Sequence, residues 1–230
     1  MATNVDEQTL LEGSWWALEQ AGRLLGSATM LFEGGDFSTA LAVAMFGREE
    51  LGRSRLLRDC AQEVRQGKSL QPHEITKRCN EHVRKQQASA FHIALNLQLN
   101  SQVRKALSDL SAYDPSSEQR KGAGALIDSA VEAKGKRLAT DRDQDRCSSL
   151  YVDLNPQGTD WRRPAMIDED KARHEINSAI SDYTYEVNRL TNEELHPNLE
   201  QHQPHLSVKA MSIARSKMQH TVDIPQPQFV

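Results

Sequence analysis

Two adjacent carboxylates and a following arginine are the first residues in this chain whose types and spacing could do chemistry. Glu49 and Glu50 come at the end of an apolar run within residues 34–57, and Arg53 stands four positions after Glu49. In a helix, residues four apart share one face, so Glu49 and Arg53 can meet. Such a pair either stabilises an exposed helix by a few tenths of a kcal/mol or brings charge to a functional site. The spacing alone leaves both interpretations open.

A second group of polar residues follows at helical spacing. Arg78, His82 and Lys85 stand at positions i, i+4 and i+7 of a helix predicted to begin near Pro72. Histidine exchanges a proton near neutral pH, and the two cations suit a phosphate. The alternative is a surface histidine on a basic helix. If the two helices pack against each other, both groups of residues converge on one patch.

The elements that must position these residues are predicted to be helices. Apolar residues recur three or four positions apart in every long segment, and signals for strands are few. We predict an all-α fold, a four-helix up-down bundle with an extra loop carrying a short extended segment at 150–154. The predicted helices cover residues 6–32, 34–65, a span from 72 to about 97, 117–146 and a span from 167 to 190. We assign the bundle to residues 1–195, with a loop insertion at 147–167, and a Pro-, His- and Gln-rich tail to residues 196–230.

Composition excludes several classes of protein. The longest apolar run, residues 40–46, is too short to cross a bilayer, and the polar N-terminus shows no secretory signal. Three cysteines without a paired spacing fit reduced thiols, which predicts a cytoplasmic protein without a membrane partner. A net charge of −4 argues against a broad nucleic-acid surface but leaves room for a local basic groove.

No metal site or cofactor is predicted. A di-iron bundle needs two Glu-x-x-His motifs and two further glutamates, and this chain offers one such motif, Glu193 to His196. The histidines of the tail stand among Gln and Pro without a helical frame, so they do not form a convincing ligand set.

Three motifs in sequence order resemble a known family. They are EELGR at 49–53, His82 with Lys85 three residues on, and YVD at 151–153 followed by Trp161 and Pro164. Together they resemble the AbiV-type abortive infection proteins, a branch of the HEPN superfamily of small helical bundles. The resemblance covers residues 17–190. Arg53 stands where the first motif of the family usually has a lysine. The positive charge is kept, but a planar guanidinium group replaces the compact ammonium group.

The resemblance implies a homodimer that takes part in phage defence by shutting down growth or translation. Many HEPN proteins are metal-independent RNases that use an Arg and a His with four to six residues between them. That spacing occurs twice here, at Arg189 with His196 and at Arg215 with His220. A chain of this composition gives about two such pairs by chance, so they do not identify a nuclease.

Two hypotheses about function follow. In the first, the protein is an RNase in which His82 moves a proton, Glu49 or Glu50 orients it, and Arg53, Lys85 and Arg78 bind phosphate. In the second, it is a non-catalytic binding protein that blocks translation through contacts with RNA or with the translation machinery. A phage protein is the expected trigger in either case.

Overall fold

The computed structural model describes residues 4–89, 105–106, 117–154, 157–192 and 209–213. The long helices are α1 (Glu7–Glu33), α2 (Phe37–Arg65), α5 (Glu118–Leu150) and α6 (Glu169–Asn192). Two short helices, α3 (Pro72–Asn80) and α4 (His82–Ser89), follow α2. Strands β1 (Asp153–Leu154) and β2 (Trp161–Arg162) and a 3-10 turn (Pro164–Met166) separate α5 from α6. The predicted all-α class is confirmed.

Side-chain caps fix the two ends of the first hairpin. Asp6 accepts a hydrogen bond from the Thr9 N–H at 2.8 Å, and Asp36 accepts one from the Thr39 N–H at 3.2 Å. Between the two helices, Gly35 has a φ of +82°, which an L side chain rarely adopts. The turn is therefore short, and α1 and α2 lie side by side along most of their length.

The main apolar core lies between α1, α2 and α6. Leu18 and Leu25 of α1 pack with Leu41 and Met45 of α2 and with Tyr183 of α6, and all five are almost fully buried. The helical turn at residues 209–213 adds two further buried residues to this core, Ala210 and Ile213. The apolar faces of α1, α2 and α6 therefore meet in one main cluster.

The single third helix predicted from Pro72 is wrong. Glu81 has an extended ψ of 114°, and it separates α3 from α4. The two short helices bury different faces, because α3 places Ile75 and Cys79 in a second apolar cluster whereas α4 buries polar residues. Val83 would share the apolar face of Ile75 and Cys79 in one continuous helix, but the break leaves it 41% exposed. The remainder of the predicted helix, from Ala90 onwards, lies outside the described residues.

The last two residues of the extended segment predicted at 150–154 form a small antiparallel ladder, whereas Leu150 is the last residue of α5. Leu154 pairs with Trp161, and Asp153 pairs with Arg162. Two aromatic side chains of this segment are exposed, Trp161 by 56% and Tyr151 by 58%. None of the helices in the described parts of the chain combines the length and the apolar character needed to cross a membrane.

Candidate active site

The candidate site is centred on Glu49, whose side chain is only 3% exposed on the polar side of α2. Its Oε2 atom lies 2.7 Å from Nδ1 of His82 and 2.8 Å from Nζ of Lys85. Both partners come from α4, three residues apart and therefore on one face of that helix. The buried carboxylate is thus compensated by a buried ammonium group, whose side chain is 5% exposed.

Gly52 explains how α4 comes so close to α2. A Cβ atom at this position would lie 2.7 Å from the carbonyl carbon of Lys85 and would collide with its oxygen. Gly52 lies three residues after Glu49, on the same face of α2. The glycine of the EELGR motif therefore lets the backbone of α4 approach until His82 and Lys85 reach the carboxylate.

His82 combines an anchored nitrogen with an accessible ring. Half of its side chain is exposed, although its Nδ1 atom contacts the buried Glu49. An ionised carboxylate only accepts hydrogen bonds, so Nδ1 carries the hydrogen in this arrangement. Nε2 is then the nitrogen that can exchange a proton with a ligand. This is the geometry in which a carboxylate orients a histidine for acid–base catalysis.

Arg146 of α5 is a part of the site that the sequence did not single out. Its Nε atom lies 3.4 Å from Oε1 of Glu49, and its Nη2 atom donates to Asp143 at 2.8 Å. Glu49 therefore faces three basic side chains from two helices. The feature of the sequence that could have identified Arg146 is its spacing from Arg142, one turn earlier on a helix with little apolar surface.

Glu50 and Arg53 form a separate pair beside Glu49. An Nη1–Oε1 distance of 3.0 Å joins them, so Arg53 pairs with Glu50 rather than with Glu49. Burial raises the pKa of Glu50, against the opposing effect of the nearby Arg53 and Lys85 charges. The Arg53 side chain is 35% exposed, which makes it the more accessible cation of the predicted set.

Arg78 lies apart from the other predicted site residues. Its Nη1 atom donates to Glu63 at 2.9 Å and lies 3.6 Å from Sγ of Cys60. Glu63 is about 21 Å from Glu49 along the axis of α2, at 1.5 Å per residue. The structure thus brings together Glu49, His82 and Lys85, with Glu50 and Arg53 next to them, and places Arg78 beyond this group.

A second buried ionic group lies next to Glu49 and ties α2 to α5 and α6. Arg48 is fully buried; it pairs with Asp182 and donates to the Glu175 carbonyl oxygen at 3.3 Å. Arg142 of α5 lies 4.0 Å from the Glu175 carboxylate. Burial, together with the charge of Arg48, lowers the pKa of Arg142 to about 10. No local pattern indicates these contacts, because Arg142, Glu175 and Asp182 all lie more than 90 positions after Arg48 in the sequence.

A third ionic group surrounds Glu186 of α6, whose side chain is 1% exposed. Its two carboxylate oxygens accept hydrogen bonds from three guanidinium groups, those of Arg55, Arg58 and Arg189. Burial lowers the pKa of Arg58 to about 10. Two of these arginines belong to α2, so this group fixes α2 to α6 beyond the apolar core.

Within the described ranges, no three His, Cys, Asp or Glu side chains are grouped as a metal site would require. The site consists of the Glu49 carboxylate, the His82 imidazole, the Lys85 amine and the Arg146 guanidinium group. Such a set can transfer a proton and stabilise negative charge.

Comparison with known protein families identifies the family of this chain. A protein-family model described as AbiV, of the HEPN type, matches residues 9–181, well over half of the chain. Neither the search of curated proteins nor the search of solved structures gave a match. The matched span contains α1 to α5 and half of α6, including every residue of the Glu49 site. The chain therefore belongs to the HEPN AbiV family, which associates it with abortive infection, a form of phage defence.

Proposed function

We propose that this protein is a phage-defence effector that shuts down growth or translation by cutting RNA without a metal ion. The observation that carries the proposal is the half-exposed His82 ring, oriented through Nδ1 by the buried carboxylate of Glu49. Family membership supports the defence role, and this geometry supports the chemistry.

The proposed reaction is attack of a ribose 2′-OH on the adjacent phosphate. The P–O2′ bond forms and the P–O5′ bond breaks, while the 2′-hydroxyl proton passes to Nε2 of His82 and the leaving oxygen takes a proton from water. The products are a 2′,3′-cyclic phosphate and a 5′-hydroxyl. Glu49 stabilises the imidazolium that forms, as a carboxylate does behind a catalytic histidine.

The remaining residues take distinct parts in this proposal. Lys85 neutralises Glu49 and holds it in place, since its ammonium group is buried against the carboxylate. Arg53, which is partly exposed, is the cation placed to meet the phosphate, and Glu50 holds its guanidinium group. Arg78 of α3 is bound to Glu63, about four turns of α2 away from Glu49, and in this proposal it contacts a part of the RNA away from the reacting phosphate.

We also propose that the protein acts in the cytoplasm as a homodimer and that a phage protein triggers it. The family supports this assignment. Sedimentation of the purified protein at micromolar concentration should give twice the 25.9 kDa of one chain. A species of 25.9 kDa would contradict the dimer.

A second candidate function is a binding protein that blocks translation through RNA or protein contacts without cutting RNA. One observation favours it: Arg53, Lys85 and Arg78 are each already paired with a carboxylate. In this candidate the Glu49 group is a structural network, and an exposed surface does the binding.

Replacement of His82 tests the catalytic proposal. We expect His82→Ala to lower RNA cleavage by about 100-fold or more, the usual contribution of a positioned acid or base. The wild type should leave 2′,3′-cyclic phosphate ends and remain active in EDTA. His73→Ala is the matched control, because His73 is an exposed histidine in the first turn of α3. It should leave cleavage and growth arrest unchanged.

Two results would contradict the catalytic proposal. Full growth arrest by the folded His82→Ala variant would remove His82 from the mechanism. A wild-type protein that halts translation and leaves every RNA intact would favour the binding candidate.

A further inference from the structure

The short helix that carries His82 is attached to α2 by polar contacts. Three residues of α4 are buried, Lys85, Gln86 and Ser89, and none of them is apolar. Lys85 pairs with Glu49, and the amide nitrogen of Gln86 donates to the Met45 carbonyl oxygen at 3.2 Å. Ala88 of α4 is partly buried against the second apolar cluster, but the buried side chains of this helix are all polar, and they hold it by directional bonds.

Arg55 of α2 holds the opposite end of α4. Its Nη1 atom donates to the carbonyl oxygens of Ala88 and Ser89, at 2.8 and 3.1 Å. These carbonyls belong to the last turn of α4 that the structure describes.

The same guanidinium group is itself held from the other side. Its Nε and Nη2 atoms donate to Oε2 of Glu186 at 3.2 and 2.9 Å, and the Arg55 side chain is only 11% exposed. Arg55 thus connects α4 to α6 through four hydrogen bonds. The planar guanidinium group of arginine carries N–H donors that point to both sides, so it can make this set of bonds. The single ammonium group of lysine cannot.

The eight described residues of α4, about 12 Å of helix, move as one body. His82 is the first residue of this helix, and Arg55 donates hydrogen bonds to the carbonyl oxygens of its last described turn. A tilt at that end of the helix therefore displaces the His82 imidazole relative to Glu49. We infer that Arg55 is a positioning residue that sets the His82 imidazole against Glu49 through α4. Its effect on catalysis rests on the proposed function, but its effect on the position of His82 does not.

Arg55→Lys tests this inference, with Arg58→Lys as the matched control. Arg58 pairs with the same Glu186 carboxylate but, within the described residues, donates no hydrogen bond to α4. The position of His82 is read from the NMR signal of its Nδ1-bound proton, which a hydrogen bond to a carboxylate moves downfield. Arg55→Gln, which keeps one donor for a carbonyl, replaces Arg55→Lys if circular dichroism shows that the lysine variant does not fold.

We expect the downfield signal to be lost in Arg55→Lys and retained in Arg58→Lys. RNA cleavage by Arg55→Lys should show kcat lowered about 100-fold, as for a misplaced catalytic group, with KM little changed. An unchanged His82 signal in both folded Arg55 variants would overturn the inference. If the wild type cuts no RNA while the signal still disappears in Arg55→Lys, the proposed function fails and the positioning role stands.

Discussion

The two sides of α2 are built from different kinds of contact. One side packs Leu41 and Met45 against α1 and α6 in an apolar core. The other side presents Arg48, Glu49 and Arg55 to α4, α5 and α6 through ion pairs and hydrogen bonds. Apolar packing is non-directional and scales with buried area, whereas hydrogen bonds require particular distances and angles.

The two sides of α2 therefore have largely different effects: one stabilises the fold, and the other determines the geometry of the site. Buried ion pairs add little net stability, because desolvation offsets most of their attraction. Breaking one is nevertheless costly, since the remaining charge stays buried without its partner. We interpret the apolar side as the main source of stability and the polar side as the feature that fixes where His82 and Arg146 lie.

The largest expected effect comes from removing the charge of Glu49. Glu49→Gln leaves the buried Lys85 ammonium group uncompensated, which should lower the free energy of unfolding by about 3 to 5 kcal/mol. Leu41→Ala, on the apolar side, should cost about 2 to 5 kcal/mol by leaving a cavity. Urea unfolding measures both losses.

The two variants differ in what else they change. At a temperature where both are folded, Glu49→Gln should abolish the downfield His82 proton signal, and Leu41→Ala should keep it. Loss of the signal in both variants would show that the two sides of α2 are not separable in this way.

A smaller effect is expected at the closest approach of α4 to α2. Gly52→Ala places a methyl group against the Lys85 backbone, and such overpacking typically costs about 1 to 3 kcal/mol. Gly26→Ala is the control, because nothing lies within 4 Å of a Cβ at that helical glycine. It should stabilise the protein by about 0.5 to 1 kcal/mol, as measured by thermal unfolding. Equal stability of the two variants would contradict the close contact.

The smallest expected effect is on the pH dependence of stability, and it has opposite signs at two glutamates of α2. Burial raises the pKa of Glu50 above its ordinary value of 4.5, so folding favours its protonated form. The stability that Glu50 contributes is therefore lost as the pH rises from 4.5 through the raised pKa. The hydrogen bond from Arg78 lowers the pKa of Glu63, whose contribution is present above 4.5 and is lost as the pH falls through the lowered pKa.

Unfolding measured between pH 3 and 6.5 checks both signs. Relative to the wild type, Glu50→Gln should remove a decrease in stability with rising pH, and Glu63→Gln should remove an increase. The same change of slope in both variants would show that one of the two assigned environments is wrong.

Much of the fold was predictable from local signals. Asp6 and Asp36 are helix caps that the spacing of polar and apolar residues makes visible, and Pro72 marks the start of α3 as predicted. The motifs in the sequence identify Glu49, His82 and Lys85 as site residues, and these three side chains lie together in the structure. These successes depend on residues close in sequence or on a resemblance between whole motifs.

The break at Glu81 and the contact of Arg146 with Glu49 were not predictable in this way. No Pro or Gly marks the break, and residues 78–85 carry a continuous helical pattern. The break follows from tertiary packing, because α3 buries apolar residues and α4 buries polar ones. Arg146 is one arginine among several on α5, and only the fold shows which one faces Glu49.

The order in which the chain is synthesised gives the Arg48–Asp182 pair a further consequence. These residues are 134 positions apart, and Glu186, which holds Arg55, comes later still. A nascent chain that has not yet reached α6 contains the His82 motif but lacks the carboxylates that hold α2 in place beside it. The arrangement around His82 is therefore completed only after α6 has been synthesised. For a protein whose proposed activity damages its own cell, this delays the competent geometry until at least that point of translation.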